Sequence, residues 1–119
     1  MAPKEQLIRV SRRDGIVQVD LLAPILIGDD SIDRMAEEVA EIIDAEENPR
    51  IVMNFEHVRH ISSMMLGTLI SLFNRIEARG GQLRLAALRA RHRRLLVLVG
   101  LDGVFEVHPT PEQAAASFR

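Results

Sequence analysis

The chain has 119 residues, 47% of them hydrophobic and 27% charged, with a formal net charge of −2. That length is one domain with enough apolar material for a core. The charge argues against a general nucleic-acid binder, and four Phe with no Tyr or Trp leave no base-stacking platform. With no cysteine there is no disulfide, zinc-thiolate site or thiol nucleophile. No apolar run approaches the roughly 18 residues of a membrane span. Residues 1–5 lack the apolar segment of a secretory signal and are expected to be disordered. A cytoplasmic protein without nucleic-acid or membrane contacts is expected.

The alternation in Leu7 to Ser11 and in Ile16 to Leu21, with Asp14-Gly15 between, predicts an antiparallel hairpin. Pro24, Gly28, Asp29 and Asp30 mark the end of the second strand and a loop. Asp30 or Ser31 is the expected cap of a first helix, with Asp33 in its opening turn favoured by the dipole. Ile32, Met35, Val39, Ile42 and Ile43 repeat at helical spacing, and Asn48-Pro49 is expected to end the helix. Ile51 to Phe55 is the nearly continuous apolar run of a strand covered on both faces. A second helix runs to about Ala78, with Leu66, Leu69, Ile70, Phe73 and Ile76 as its inward stripe, and Gly80-Gly81 stops it. Gln82 to Ala87 reads as a strand and Ala90 to Val99 as a third helix, with Leu95, Leu96 and Val99 inward, ending at Gly100. Val104 to Val107 reads as a last strand. Glu112 to Phe118 reads as a closing helix with Thr110 as cap and Pro111 in its first turn. The order ββαβαβαβα implies an α/β fold with a mixed, mostly parallel sheet that opens on an antiparallel hairpin.

The charge is uneven along the chain. Asp29 to Glu47 holds nine acidic residues and one Arg, whereas Arg84 to Arg94 holds five Arg and no acid. These are two solvated helix faces, or one of them is shaped for a charged partner.

No catalytic pattern stands out. There is no phosphate-binding glycine loop and no G-x-S-x-G elbow. His57 and His60 lie three apart in a strand-to-helix loop with only Glu56 nearby, which suits loop histidines better than a metal pair. No cofactor is implied. The two serines before the second helix are the residues of interest. A Ser at that position caps a helix by accepting a hydrogen bond from a first-turn amide, worth about 1 kcal/mol. Beside them, Met64, Met65, Thr68 and Leu72 share a flanking face, with 65 and 72 a heptad apart. They are either the margin of the core or an exposed, adaptable apolar patch next to a hydroxyl.

Four stretches carry a resemblance: Ile51 to Phe55, Val58 to Leu69, Gly80 to Leu85, and Leu95-Leu96 with Gly100 to Phe105. Together they are similar to a STAS domain, the fold of bacterial anti-sigma factor antagonists, also found in stressosome proteins and at the ends of sulphate transporters. The resemblance covers nearly the whole chain. It implies a phosphorylatable hydroxyl at the start of the second helix, in a stretch that in the family resembles Asp-Ser-Ser-Gly-Leu-Gly. Here that residue falls on Ser63, with Ser62 as the second candidate. The sequence departs from the pattern in three places. Ser62 stands where an acid is usual, Met65 where a Gly is usual, and Asn54 where the strand usually ends in Asp.

The resemblance implies a regulatory binding module, not an enzyme. It would dock on an anti-sigma factor with serine kinase activity, or on another STAS-binding protein, through His60, Ser62, Met64, Met65, Thr68 and Leu72. Phosphorylation would switch the docking. Weak homodimerisation is left open. The rival readings are a constitutive scaffold subunit of a larger signalling or transport complex, and a small-ligand sensor with a pocket beside the serines.

Overall fold

A computed structural model describes residues 6–26 and 29–118. Ile8–Arg13 (β1) and Ile16–Leu21 (β2) form the expected hairpin. Its turn residues Asp14 and Gly15 sit at φ 54° and 78°, the doubly positive geometry that matches strand twist in a two-residue loop. The ladder reaches further than expected, to Arg13, because the tight turn lets pairing continue to Arg13↔Ile16.

Asp29–Asp44 forms α1. Asp30 and Ser31 therefore lie inside its first turn rather than at the cap, and Gly28 lies outside the described residues. The helix also stops before the expected Asn48-Pro49. Asn48 takes a left-handed φ of 49° and leads into Pro49, whose restriction on the preceding residue forbids helical continuation.

Arg50–Asn54 (β4) is the centre of a five-stranded sheet of order β1-β2-β4-β6-β7, where β6 is Gln82–Ala86 and β7 is Glu106–His108. All pairings except β1·β2 are parallel. Three crossover helices, α1, α2 (Ser63–Ala78) and α3 (Ala90–Leu98), link successive parallel strands. The main core joins Ile51, Met53 and Phe55 to α1 and α2, including Ile32, Met35, Leu69 and Ile76. Val52 and Ala86 face a second cluster with Ala114 and Phe118, on and beside the closing helix α4 (Pro111–Ala116). This is the two-sided coverage that the unbroken apolar run of β4 anticipates. Thr110 caps α4 as expected, accepting from the Gln113 amide at 3.1 Å. The last strand starts later than expected, because Leu101 to Val104 is a turn closed by Val104 N–H donating to Leu101 O.

Two short strands were not anticipated. Ile25–Leu26 (β3) pairs in parallel with His60–Ile61 (β5) as a separate small sheet. Runs of two residues carry no periodicity that a sequence could reveal.

Two glycines with opposite surroundings give a test of packing. A Cβ on Gly81 would lie 2.2 Å from Pro49 O, which accepts the Gln82 amide and so aligns β4 with β6. A Cβ on Gly67, inside α2, would touch nothing. In chemical denaturation, Gly81→Ala is expected to lose on the order of 2 kcal/mol through overpacking. Gly67→Ala is expected to gain about 0.5–1 kcal/mol from helix propensity.

Candidate functional site

The stretch between β4 and α2 is irregular, so its backbone polar groups need partners outside regular ladders. The Pro24 carbonyl accepts two amides, Arg59 N–H at 2.7 Å and His60 N–H at 3.1 Å. From the other side, Arg89 Nε donates to Val58 O at 3.1 Å, and the Arg91 guanidinium donates to Arg59 O. The β3·β5 pairing completes the clamp. The loop is thereby held in one path, and that path sets where α2 begins.

Ser62 is the N-cap of α2. Its backbone is extended, with φ −108° and ψ 169°, and its hydroxyl accepts from Met65 N–H at 3.3 Å. Ser63 is the first helical residue, exposed, and its hydroxyl has no part in the cap. The serines therefore divide the two roles open to them: one caps, and the other presents an accessible hydroxyl at a helix N-terminus. The first turn contains no acidic residue, so the positive end of the dipole is not offset by a local carboxylate. Ser62 in place of an acid preserves the cap, since Ser and Asp cap equally well, while removing a charge beside Ser63.

The expected apolar patch needs correction. Met65 is 0% exposed and Leu72 4%. They do share a face, as their heptad spacing requires, but it is the inward face, with Leu69 and Ile76. Neither can meet a partner without unpacking the core. Met64 is 43% exposed, Thr68 is half-buried, and His60 is exposed in β5. The outward stripe of α2 is instead Ser63, Met64, Gly67 and Ser71, all exposed. Gly67 and Ser71 were missed. Their only sequence signal is the spacing of small residues at i, i+4 and i+8 from Ser63.

Asp20 was also missed. It lies opposite Asn54 in the β2·β4 register and is 5% exposed. Asn54 Nδ2 donates to its carboxylate at 2.9 Å, Gln18 Nε2 at 2.9 Å and Arg9 Nε at 3.2 Å. Asn54 Oδ1 accepts from Glu56 N–H at 3.1 Å, at the start of the loop. An amide at position 54 can donate to one neighbour and accept from the other; a carboxylate there would face Asp20 with no proton to share. Burial pushes the Asp20 pKa up, but the hydrogen bonds from Gln18, Asn54 and Arg9 and the Arg9 charge outweigh it, leaving the pKa lowered.

His92 is buried, 5% exposed. Burial, then the charges of Arg91 and Arg89, lower its pKa against a hydrogen bond with the Arg59 backbone that raises it. Its Nδ1 has no partner among the described residues. Among the described residues no group of three or more His, Cys, Asp or Glu could hold a metal ion. No helix of these residues is long and apolar enough to cross a membrane.

The five-stranded mixed sheet with its crossover helices places the chain among α/β domains of one particular topology. The family model for the STAS domain matches residues 8–114, and the chain belongs to that family. No curated protein sequence matches. Among solved structures, an anti-sigma-factor antagonist (STAS) domain protein from Planctomyces limnophilus is similar with a TM-score of 0.81 at 15% identity, over 92% of this chain and 96% of that one. The Bacillus cell fate determinant SpoIIAA in its phosphorylated form gives 0.71 at 20% identity, over 94% and 99%. The murine anion transporter Slc26a9 gives 0.75 at 15% identity, over 89% of this chain but 18% of the transporter.

Three substitutions test this geometry. Ser62→Ala should cost about 1 kcal/mol through loss of the cap. Ser63→Ala should change stability by no more than about 0.5 kcal/mol, the usual range for a surface change. Because the folded-state pKa of Asp20 is lowered, its ionised form contributes stability above the unfolded carboxylate value of about 3.9. That contribution is lost as pH falls from there through the lower folded value. Urea titrations from pH 6 down to pH 2 should show a shallower loss for Asp20→Asn than for the wild type.

Proposed function

We propose that this protein is an anti-sigma factor antagonist-like binding module. It docks on an anti-sigma factor with serine kinase activity through the outward face of the α2 N-terminus, and phosphate on Ser63 ends the docking. The observation that carries this reading is the division of labour between the serines: Ser62 holds the cap and Ser63 stands exposed with its hydroxyl uncommitted. Membership of the STAS family supports it, as does the similarity to SpoIIAA, whose structure exists in phosphorylated and unphosphorylated forms. The ATP and the catalytic groups belong to the partner.

Phosphorylation adds about 1.5–2 negative charges at pH 7. The helix dipole accommodates this with about 0.3–1 kcal/mol at an exposed site, too little to remodel a domain whose loop is clamped on both sides. The larger effect lies at the interface. Met64, Gly67 and Ser71 form a narrow, low-relief strip beside Ser63, and a partner covering it would have to desolvate the dianion, which costs several kcal/mol. Reversing a 99:1 equilibrium takes about 5.5 kcal/mol, within the reach of that penalty and beyond that of the dipole.

The full chain, incubated with ATP and a cognate anti-sigma kinase, is expected to take up one phosphate on Ser63 by mass spectrometry. Ser62→Ala should retain it and Ser63→Ala should lose it. Phosphate on Ser62, or none on the wild type, would remove Ser63 from the role. Phosphorylated protein should bind the partner at least a hundredfold more weakly than unmodified protein, and Met64→Glu should weaken binding without any phosphate.

A further inference from the structure

Helix α3 turns to solvent a face that the serine switch does not use. It buries only His92 and Leu96. On that face Leu98, one turn after Leu95 and Arg94, is 82% exposed; Val97 points to the other side of the helix, and Val99, expected inward, is its 50% exposed C-cap. Between α3 and the segment leading into α2 lies an open groove of about 400 Å³, lined by His60, Ile61, Arg91, His92, Arg94, Leu95 and Leu98. Its floor is mainly apolar, from Ile61 and Leu95, which pack against the core, with the buried His92 ring as its polar member. Its rim is cationic. Of the arginines between 84 and 94, Arg84 is paired with Glu106 and stacked on Phe118, and Arg89 is bonded to the loop. Arg94 is exposed and engaged by no described residue, and Arg91 commits one nitrogen to the Arg59 carbonyl while the rest of its guanidinium stays at the surface.

We propose that this groove is a docking site for an acidic amphipathic segment of a partner protein. Apolar side chains of that segment seat against Ile61, Leu95 and Leu98, while carboxylates one helical turn apart meet Arg94 and the remaining donors of Arg91. Charge and shape together select this occupant. A second copy of the chain offers acidic residues on α1, but the exposed face of that helix, with Asp33, Glu37, Glu38 and Glu41, has no large apolar residue to fill the groove. An anionic lipid surface matches the arginines but is flat, and would leave the concavity empty. The groove is also continuous with the serine site, since His60 and Ile61 run directly into Ser62 and Ser63. The inference rests on the docking reading above for the identity of the partner, and not on phosphorylation.

The test uses the ¹⁵N-labelled full chain and a synthetic helix-forming peptide with leucines one turn apart flanked by glutamates. A control peptide carries Gln for each Leu and keeps every charge. The expected result is a set of amide shifts centred on His60, Ile61, Arg91, Arg94 and Leu98. Affinity should fall at least tenfold for the control peptide, for Leu98→Glu and for Arg94→Glu, and should weaken as salt rises. Both substituted side chains are exposed, so the spectra of the variants should be unchanged elsewhere. Equal binding of the control peptide, or no binding of either, overturns the proposal. So does tighter binding to phosphatidylserine vesicles than to the peptide, or peptide-free broadening with concentration that reports self-association. The two proposals fail separately. Shifts confined to Ser63, Met64, Gly67 and Ser71 remove the groove and keep the serine face, whereas an unphosphorylated Ser63 with shifts in the groove removes the switch alone.

Discussion

A single carbonyl, that of Pro24, accepts the amides of Arg59 and His60, and much of the site depends on it. Parallel strands bring each crossover helix back to the sheet from the same direction, so the start of α2 lies beyond the C-terminal end of β4 wherever the connecting loop leads it. A loop with unsatisfied peptide groups would have no preferred path. Here the donors of 59 and 60 go to Pro24, and the carbonyls of 58 and 59 go to Arg89 and Arg91 on the other side. The hydroxyl of Ser63 is presented by a backbone held from two elements distant in sequence. A backbone so held presents that hydroxyl in one geometry.

The pairing of Asp20 with Asn54 supplies a second constraint. A carboxylate this buried persists in charged form only when its oxygens are occupied by donors, and three side chains provide them. Because Asn54 also takes up the Glu56 amide, the network joins the end of β4 to the loop. The acid that the family resemblance places at the strand end is absent, yet an acid is present across the ladder.

The uneven charge of the chain resolves into different roles. The acidic residues of α1 lie mostly on its solvent face, with Asp44 forming a bidentate pair with Arg75 of α2. Exposed as it is, that pair contributes little to stability. The arginines of α3 and its flanks are more heterogeneous. Two satisfy the loop, one stacks on Phe118, and Arg93 and Arg94 remain at the surface beside apolar residues that are also uncovered. A cluster that looks uniform in the sequence is part scaffold and part surface.

The sequence by itself determined the order of the helices and of the five main-sheet strands, the hairpin at Asp14-Gly15, the double-sided burial of β4, and the cap at Thr110. Each follows from local chemistry: turn propensity, apolar period, side-chain acceptors at helix starts. It also singled out Ser62 and Ser63, because hydroxyls before an apolar helical pattern have few local explanations. It named Leu66, Leu69 and Ile76 as inward, as they are, but could not decide whether Met65 and Leu72 join them or form an exposed flank. Met65 and Leu72 are related by a heptad in either case, and only the packing of α2 on α1 and β6 shows that their face is the core. Nor could it find Asp20, whose partner Asn54 lies on another strand and meets it through register alone. The roles of Pro24, Arg89 and Arg91 belong to the same class, since the groups they satisfy are peptide units, which carry no signature in a sequence. Tertiary structure therefore decided what the serine site exposes and what holds it in place.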